Sequence, residues 1–415
     1  MEDQIAANRN EPFELERLFR SDREGFSDAL PKAIARHPDS LLLKAWQARL
    51  EPDQQPEPAR EHSLGISKVV LLLSAVAGLI AKIPFLFSLS AEHFYAKNAS
   101  FVFLPALAAY FHLKRSAPRG FALATALVFF AAALYINVLP GAPRNDTFVL
   151  ACLHLPLFLW VVAGVAFTNG QRDSASILNY LQLTTESIIY AGLIAICGVV
   201  MFGITTALFR MIGLTIDRFY IENIVVVGLA AAPIIAVALA EARKGAGKRI
   251  APVLAKLFAP LAFVTLIAYL ASIAIVGKSP YTEREFLITF NALLLCVLAI
   301  GTLLISERNP AVGKGGSDLL AAGLLLLTVI VDCIALSAIM FRLGAFGLTP
   351  NRLAVLGVNI VILGHLFGML AAYRRFLSGG QAFQSVRDSV ARYMPVYGIW
   401  TAIVAFAFPL IFGFK

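Results

Sequence analysis

The chain has 415 residues, of which 59% are hydrophobic and only 15% charged, with a mean hydropathy of +0.75 and a formal net charge of +9. Soluble domains carry about a quarter charged residues, so a soluble globular protein is excluded. No basic stripe interleaved with aromatics occurs, which argues against a polynucleotide partner. The composition is that of an all-α, polytopic membrane protein.

Residues 1–62 differ in kind from the rest. They hold 13 acidic and 9 basic side chains, a charge of −4, against +13 for residues 63–415. The chain therefore divides into a polar N-terminal region and a transmembrane bundle. Phe13 to Phe19 has helical amphipathicity, extended by Phe26 and Leu30, with Pro31 expected to interrupt it. Pro38-Asp39-Ser40 is a start signal for a helix over Leu41 to Leu50. Pro52, Pro56 and Pro58 mark 51–61 as a linker. The region lacks the short apolar core of a signal peptide, so the first apolar run is expected to stay as an anchor.

Eleven apolar stretches follow, at about 66–88, 98–113, 120–140, 147–168, 187–209, 223–241, 252–276, 286–306, 318–340, 352–373 and 393–413. Each is long enough, or nearly so, to cross a bilayer, which takes roughly 20 residues. The second is the shortest and could be re-entrant. With the N terminus in the cytoplasm, the inside connections carry 14 Lys and Arg and the outside ones 8. That bias predicts a cytoplasmic N terminus and a periplasmic C terminus. The four cysteines, Cys152, Cys197, Cys296 and Cys333, each fall in an apolar run and form no CxxC or Cys/His ligand spacing. Neither a metal nor another cofactor is expected.

Ionisable and amide side chains at membrane depth point to function, because hydrocarbon penalises them. Asp332 lies in the ninth span, Asn359 and His365 in the tenth, Asn291 in the eighth, His154 in the fourth and Lys82 in the first. The index sum of an antiparallel hairpin places Asp332 and Asn359 at equal depth in the outward half. They could face one another there, joined by Asn291, Lys82 and His154. In that site Asp332 binds a cation or exchanges a proton, and Lys82 neutralises it or holds an anion. The structural alternative is an Asp332–Asn359 hydrogen bond with Lys82 snorkelling outward, or meeting a carbonyl freed by Pro84. Gly357, Gly364 and Gly368 form a close-packing seam on the tenth span, with Asn359 almost opposite. Glu283 and Glu285 fit a capping box opened by Thr282, and Thr349-Pro350 fits an N-cap followed by proline at the first helical position.

The segment Phe341-Arg342-Leu343-Gly344-Ala345-Phe346-Gly347-Leu348-Thr349-Pro350-Asn351-Arg352 resembles a recurring motif. In it, an arginine is followed at a distance by Gly-Leu-Thr-x-Asn-Arg. It belongs to an uncharacterised bacterial multi-pass membrane family, the domain of unknown function 4153. The resemblance rests on Arg342, Gly347, Leu348, Thr349, Asn351 and Arg352, with the apolar spans of 286–373 around them. It implies a bacterial inner-membrane location and brings no activity, substrate or catalytic residue. Gly344 and Gly347 suit a tight turn. Asn351 and Arg352 are candidates for a functional or packing contact. Arg342 and Arg352 would either hold an anion such as a lipid headgroup or anchor the hairpin at the interface.

Three functions compete. A transporter or permease draws on the intramembrane polar residues and central glycines. The chain has no GxxxxGK[ST], so direct ATP coupling within it is excluded. A scaffold or sensor would use residues 1–62 to bind a cytoplasmic protein, through the amphipathic Phe13 to Leu30 segment. A lipid-modifying enzyme rests only on Glu92-His93. The expected partners are the bilayer and an anionic lipid or small-molecule substrate.

Overall fold

The computed structural model describes residues 1–50, 68–140, 145–211, 214–242, 284–308 and 313–414, with scattered positions between 259 and 281. All regular elements among them are helical. The chain separates into two units, Met1–Leu64 and Gly65–Lys415. The linker of 51–61, the Thr282 cap and most of the expected seventh span lie outside the described residues.

The first unit packs α1 (Glu2–Ala7), α2 (Pro12–Ser21), α3 (Arg23–Arg36) and α4 (Leu41–Leu50) around Ile5, Leu15, Phe26, Leu30, Leu43 and Trp46. The Phe26 and Trp46 rings meet at 5.1 Å. The break falls at Asp22, not Pro31. Asp22 caps α3 by accepting from the Gly25 amide at 3.0 Å, and Pro31 lies within that helix. An internal proline costs about 3 kcal/mol, and burial of Phe26, Leu30 and Ala33 around it opposes that cost. Ser40 does begin α4, accepting from the Leu43 amide at 3.4 Å. Arg20 and Arg49, both bonded to Glu16, hold its carboxyl below the usual range.

The second unit comprises α5 (Lys68–Leu86), α6 (Ala91–Lys114), α7 (Arg119–Val138), α8 (Asp146–Thr168), α9 (Ser174–Met211), α10 (Asp217–Ala242), α11 (Arg284–Glu307), α12 (Gly316–Phe346), α13 (Pro350–Leu377), α14 (Gln384–Ala391) and α15 (394–411). Among the described residues, eight helical segments are long and apolar enough to cross a membrane. The protein is a multi-pass membrane protein. The second expected span forms α6, one continuous helix of 24 residues, so it does not fold back. Two expected connections are largely helical. Residues 174–186 open α9, where Leu178, Tyr180, Gln182, Leu183 and Glu186 are buried. Residues 384–391 form α14, which buries Val386, Val390 and Ala391. Their short amphipathic patterns pack on neighbouring helices, which an apolar-run criterion does not register.

Contacts sort the helix ends into two faces. On one, Lys114 pairs with Glu241 at 2.6 Å, Arg115 lies over the Phe167 ring, Gln182 donates to the Ser306 carbonyl, and Lys314 donates to the Leu377 carbonyl. On the other, Lys97 meets the Asn137 and Leu139 carbonyls, Asn145 donates to the Phe414 carbonyl, and Arg342 donates to the Tyr281 carbonyl. The C-terminal helix therefore ends on the face opposite Lys114.

The glycine seam of α13 receives the aromatic residues of the last helix. A Cβ on Gly357 would overlap the Trp400 ring, and one on Gly364 would come within 2.7 Å of the Tyr393 hydroxyl. Asn359, on the opposite side of α13, reaches Asn291 of α11. The helix is thus buried between two neighbours, as its pattern suggests.

Candidate functional site

Asp332 sits one residue past the middle of α12, between the buried Val331 and Ala335. It is fully buried, and neither carboxylate oxygen has a hydrogen-bond partner. A buried charge left without a partner costs several kcal/mol, which sets this group apart from the other buried polar residues of the bundle. Asn359 is also fully buried. Its amide nitrogen donates to Asn291 Oδ1 and to the Val355 carbonyl, both at 2.7 Å, while its oxygen is buried without a partner. No hydrogen bond joins Asp332 to Asn359. Asn359 instead pairs with Asn291, leaving the carboxylate unbound.

The partners of His365, on α15, were not apparent from sequence. The Tyr397 hydroxyl lies 3.0 Å from His365 Nδ1. The His365 ring stacks on Tyr393, with centroids 4.5 Å apart and an interplanar angle of 7°. His365 Nε2 is buried and free of partners. A polar column thus runs from Tyr397 through His365 to Tyr393, toward the face that bears Lys114. Tyr393, Tyr397 and Trp400 recur at i, i+4 and i+7, so they lie on one side of a helix. That spacing was the available signal, masked by the apolarity of the aromatic rings.

Two expected members bond elsewhere. Lys82 Nζ donates to the Glu222 carbonyl at 3.0 Å and to Asn223 Oδ1 at 2.7 Å. Both acceptors lie in a π-helical turn, Ile221–Val225, within α10. Such a turn disrupts the regular ladder of carbonyl bonds, so the freed acceptor comes from α10 and not from Pro84. His154 Nδ1 lies 2.9 Å from the Leu150 carbonyl one turn earlier in its own helix.

The loop motif is built as a hairpin. Gly347 has φ +74°, a conformation open to glycine, whereas Gly344 remains helical. Thr349 caps α13 by accepting from the Arg352 amide at 3.3 Å, with Pro350 at the first position. Arg352 Nη1 donates to the Phe346 and Gly347 carbonyls, each at 2.7 Å. That guanidinium is engaged in closing the end of α12. Asn351 takes its place in the first turn of α13. At Glu92-His93, Ser90 caps α6, and the His93 ring lies parallel to Phe148 at 6.1 Å. No group of three His, Cys, Asp or Glu side chains suited to a metal occurs among the described residues.

Comparison with family models, curated proteins and solved structures finds no match to this chain. The resemblance of residues 341–352 to the uncharacterised family rests on the motif itself.

Proposed function

We propose that this protein is a carrier of the bacterial cytoplasmic membrane, in which Asp332 takes up and releases a proton or small cation. The supporting observation is the fully buried carboxylate with two unpartnered oxygens at the middle of a membrane helix. Carboxylates serve poorly as simple packing residues in hydrocarbon, and those found there commonly mark ion pathways. The His365–Tyr397 hydrogen bond, on helices of the same bundle, supplies a further pair of groups able to exchange a proton. The Asn291–Asn359 pair supplies amide oxygens toward the opposite face. The test is metabolite profiling of the source cells carrying wild-type protein, a gene deletion or Asp332→Asn at equal expression. Asp332→Asn should reproduce the deletion profile. A wild-type profile for Asp332→Asn, with a clear shift on deletion, would remove the carrier reading.

A second reading draws on the N-terminal unit. It has its own core, yet Phe13 and Leu41 are 88% and 84% exposed. These residues would anchor a cytoplasmic protein if the membrane unit served as a scaffold or sensor. Phe13→Ser with Leu41→Ser would then abolish function while Asp332→Asn preserved it.

A further inference from the structure

The C-terminal part of α13 from Gly368, Gln381 and one face of α14 with its continuation line an open pocket of about 360 Å³. That volume is within the range of small-ligand sites, roughly 300–1,000 Å³. Its lining includes Arg375, Ser385, Asp388, Ser389, Arg392 and Tyr393. Positions 385, 388, 389 and 392 recur at i, i+3, i+4 and i+7, so they form one face of α14 and its continuation. The opposite face, Val386 and Val390, is buried in the core beside Phe383. The helix thus has one side fixed by packing and presents its polar side to the cavity.

Neither Arg375 nor Arg392 makes a side-chain hydrogen bond or ion pair with another described residue. An ordinary duty for such arginines would be to satisfy the carbonyls that end a helix. Those carbonyls are already taken. The Arg374 carbonyl accepts from the Ser378 amide at 2.9 Å, Arg375 from Gly380 at 2.9 Å and Phe376 from Gly379 at 3.0 Å, while Leu377 accepts from Lys314 at 3.1 Å. Asp388 forms no ion pair with either arginine, and its carboxylate accepts from Gln384 at 2.9 Å. Two exposed guanidiniums therefore border one pocket with only one carboxylate between them. The Ser385 and Ser389 hydroxyls donate to the Ala382 and Val386 carbonyls, leaving oxygens in the wall.

We infer that this cavity binds a phosphate-bearing anion, with Arg375 and Arg392 as its forked donors. Guanidinium matches phosphate in two-point geometry. The small α13 residues Gly368, Ala371 and Ala372 on the opposite wall leave room for the carbon portion of an ester. The phosphate can come from a soluble ester or from a lipid headgroup. The site stands without the carrier reading, although Tyr393 joins the two, lining the cavity while its ring stacks on His365.

The test uses the full chain in phosphatidylcholine nanodiscs. Glycerol 3-phosphate binding is measured by calorimetry. Retention of phosphatidylglycerol, from discs doped with it, is measured by native mass spectrometry. Saturable binding of either probe is expected, weakened about tenfold or more by Arg375→Gln with Arg392→Gln, since each charged hydrogen bond counts strongly. Arg374→Gln makes the same type of charge change outside the cavity and should stay within about twofold. Glycerol 3-phosphate binding identifies a soluble source, and binding of phosphatidylglycerol alone identifies a headgroup. If the double variant fails to fold, Arg392→Gln alone is compared with Arg374→Gln. Failure of folded wild-type protein to bind either probe would overturn the inference, as would equal weakening by the cavity and control variants.

Discussion

Replacing Asp332 with asparagine should leave the fold as stable as before, or more so, while removing function. The side chain is fully buried among its packing neighbours, with no hydrogen bond to either oxygen. A carboxylate that held helices together would carry partners, and removing it would strand them at a cost of about 3–5 kcal/mol. Here no described donor would be stranded. Asparagine has nearly the same shape and removes only the ionisable proton while still burying two unpartnered polar atoms, so the expected change is zero or a small gain. Asp332→Leu removes both polar atoms and should also be tolerated, less about 1–3 kcal/mol for overpacking. Unfolding of wild type, Asp332→Asn and Asp332→Leu is followed by denaturant titration in one mixed-micelle system. A loss of 3 kcal/mol or more in Asp332→Asn would show that the carboxylate has a structural partner and refute the reasoning.

Gly357→Leu should destabilise the membrane unit by about 1–3 kcal/mol through collision with Trp400. Gly228→Ala, where a Cβ meets nothing within 4 Å, should be neutral or stabilising by up to about 1 kcal/mol, with both read by thermal unfolding in nanodiscs. Lys82→Met should cost about 1–3 kcal/mol by leaving the Glu222 carbonyl and Asn223 short of a donor, and should raise amide exchange over 221–225 in mass spectrometry. In the N-terminal unit, Glu16 has a depressed carboxyl, held first by Arg20 and then by Arg49. Its stabilisation is therefore present above the unfolded carboxylate value of about 4.3 and is lost as pH falls through the lower folded value. Acid unfolding followed by Trp46 fluorescence, with Trp160 and Trp400 replaced by phenylalanine, should be less steep in Glu16→Gln.

The helical membrane fold was legible because hydrocarbon demands long apolar runs, and nothing else in the composition competes with that demand. Shorter amphipathic pieces were not legible by that rule. The start of α9 and the whole of α14 cover only part of their surface with apolar residues, and they became visible when their partners did. Asp332, Asn359 and His365 stood out as costly residues in lipid. Their partners depended on which helices adjoin, which a linear depth estimate along one hairpin does not specify. Asn359 turned to α11 and His365 to α15, while Lys82 found a carbonyl that only a π turn in α10 makes available. The Thr349 cap and the Gly347 turn were readable because their physics is local. Arg352 was not, since its acceptors lie at the end of the preceding helix.

The most direct test is whether water reaches position 332 in the folded protein in its membrane. Asp332→Cys is introduced into a chain with Cys152, Cys197, Cys296 and Cys333 replaced by alanine, and intact membranes are treated with a small aqueous thiol reagent. A carrier whose buried site opens to one face should be labelled at this position without denaturant, and labelling should slow when the membrane is chilled. Labelling only after denaturation would mean that position 332 stays sealed from water, and the carboxylate could not exchange a proton or cation as proposed.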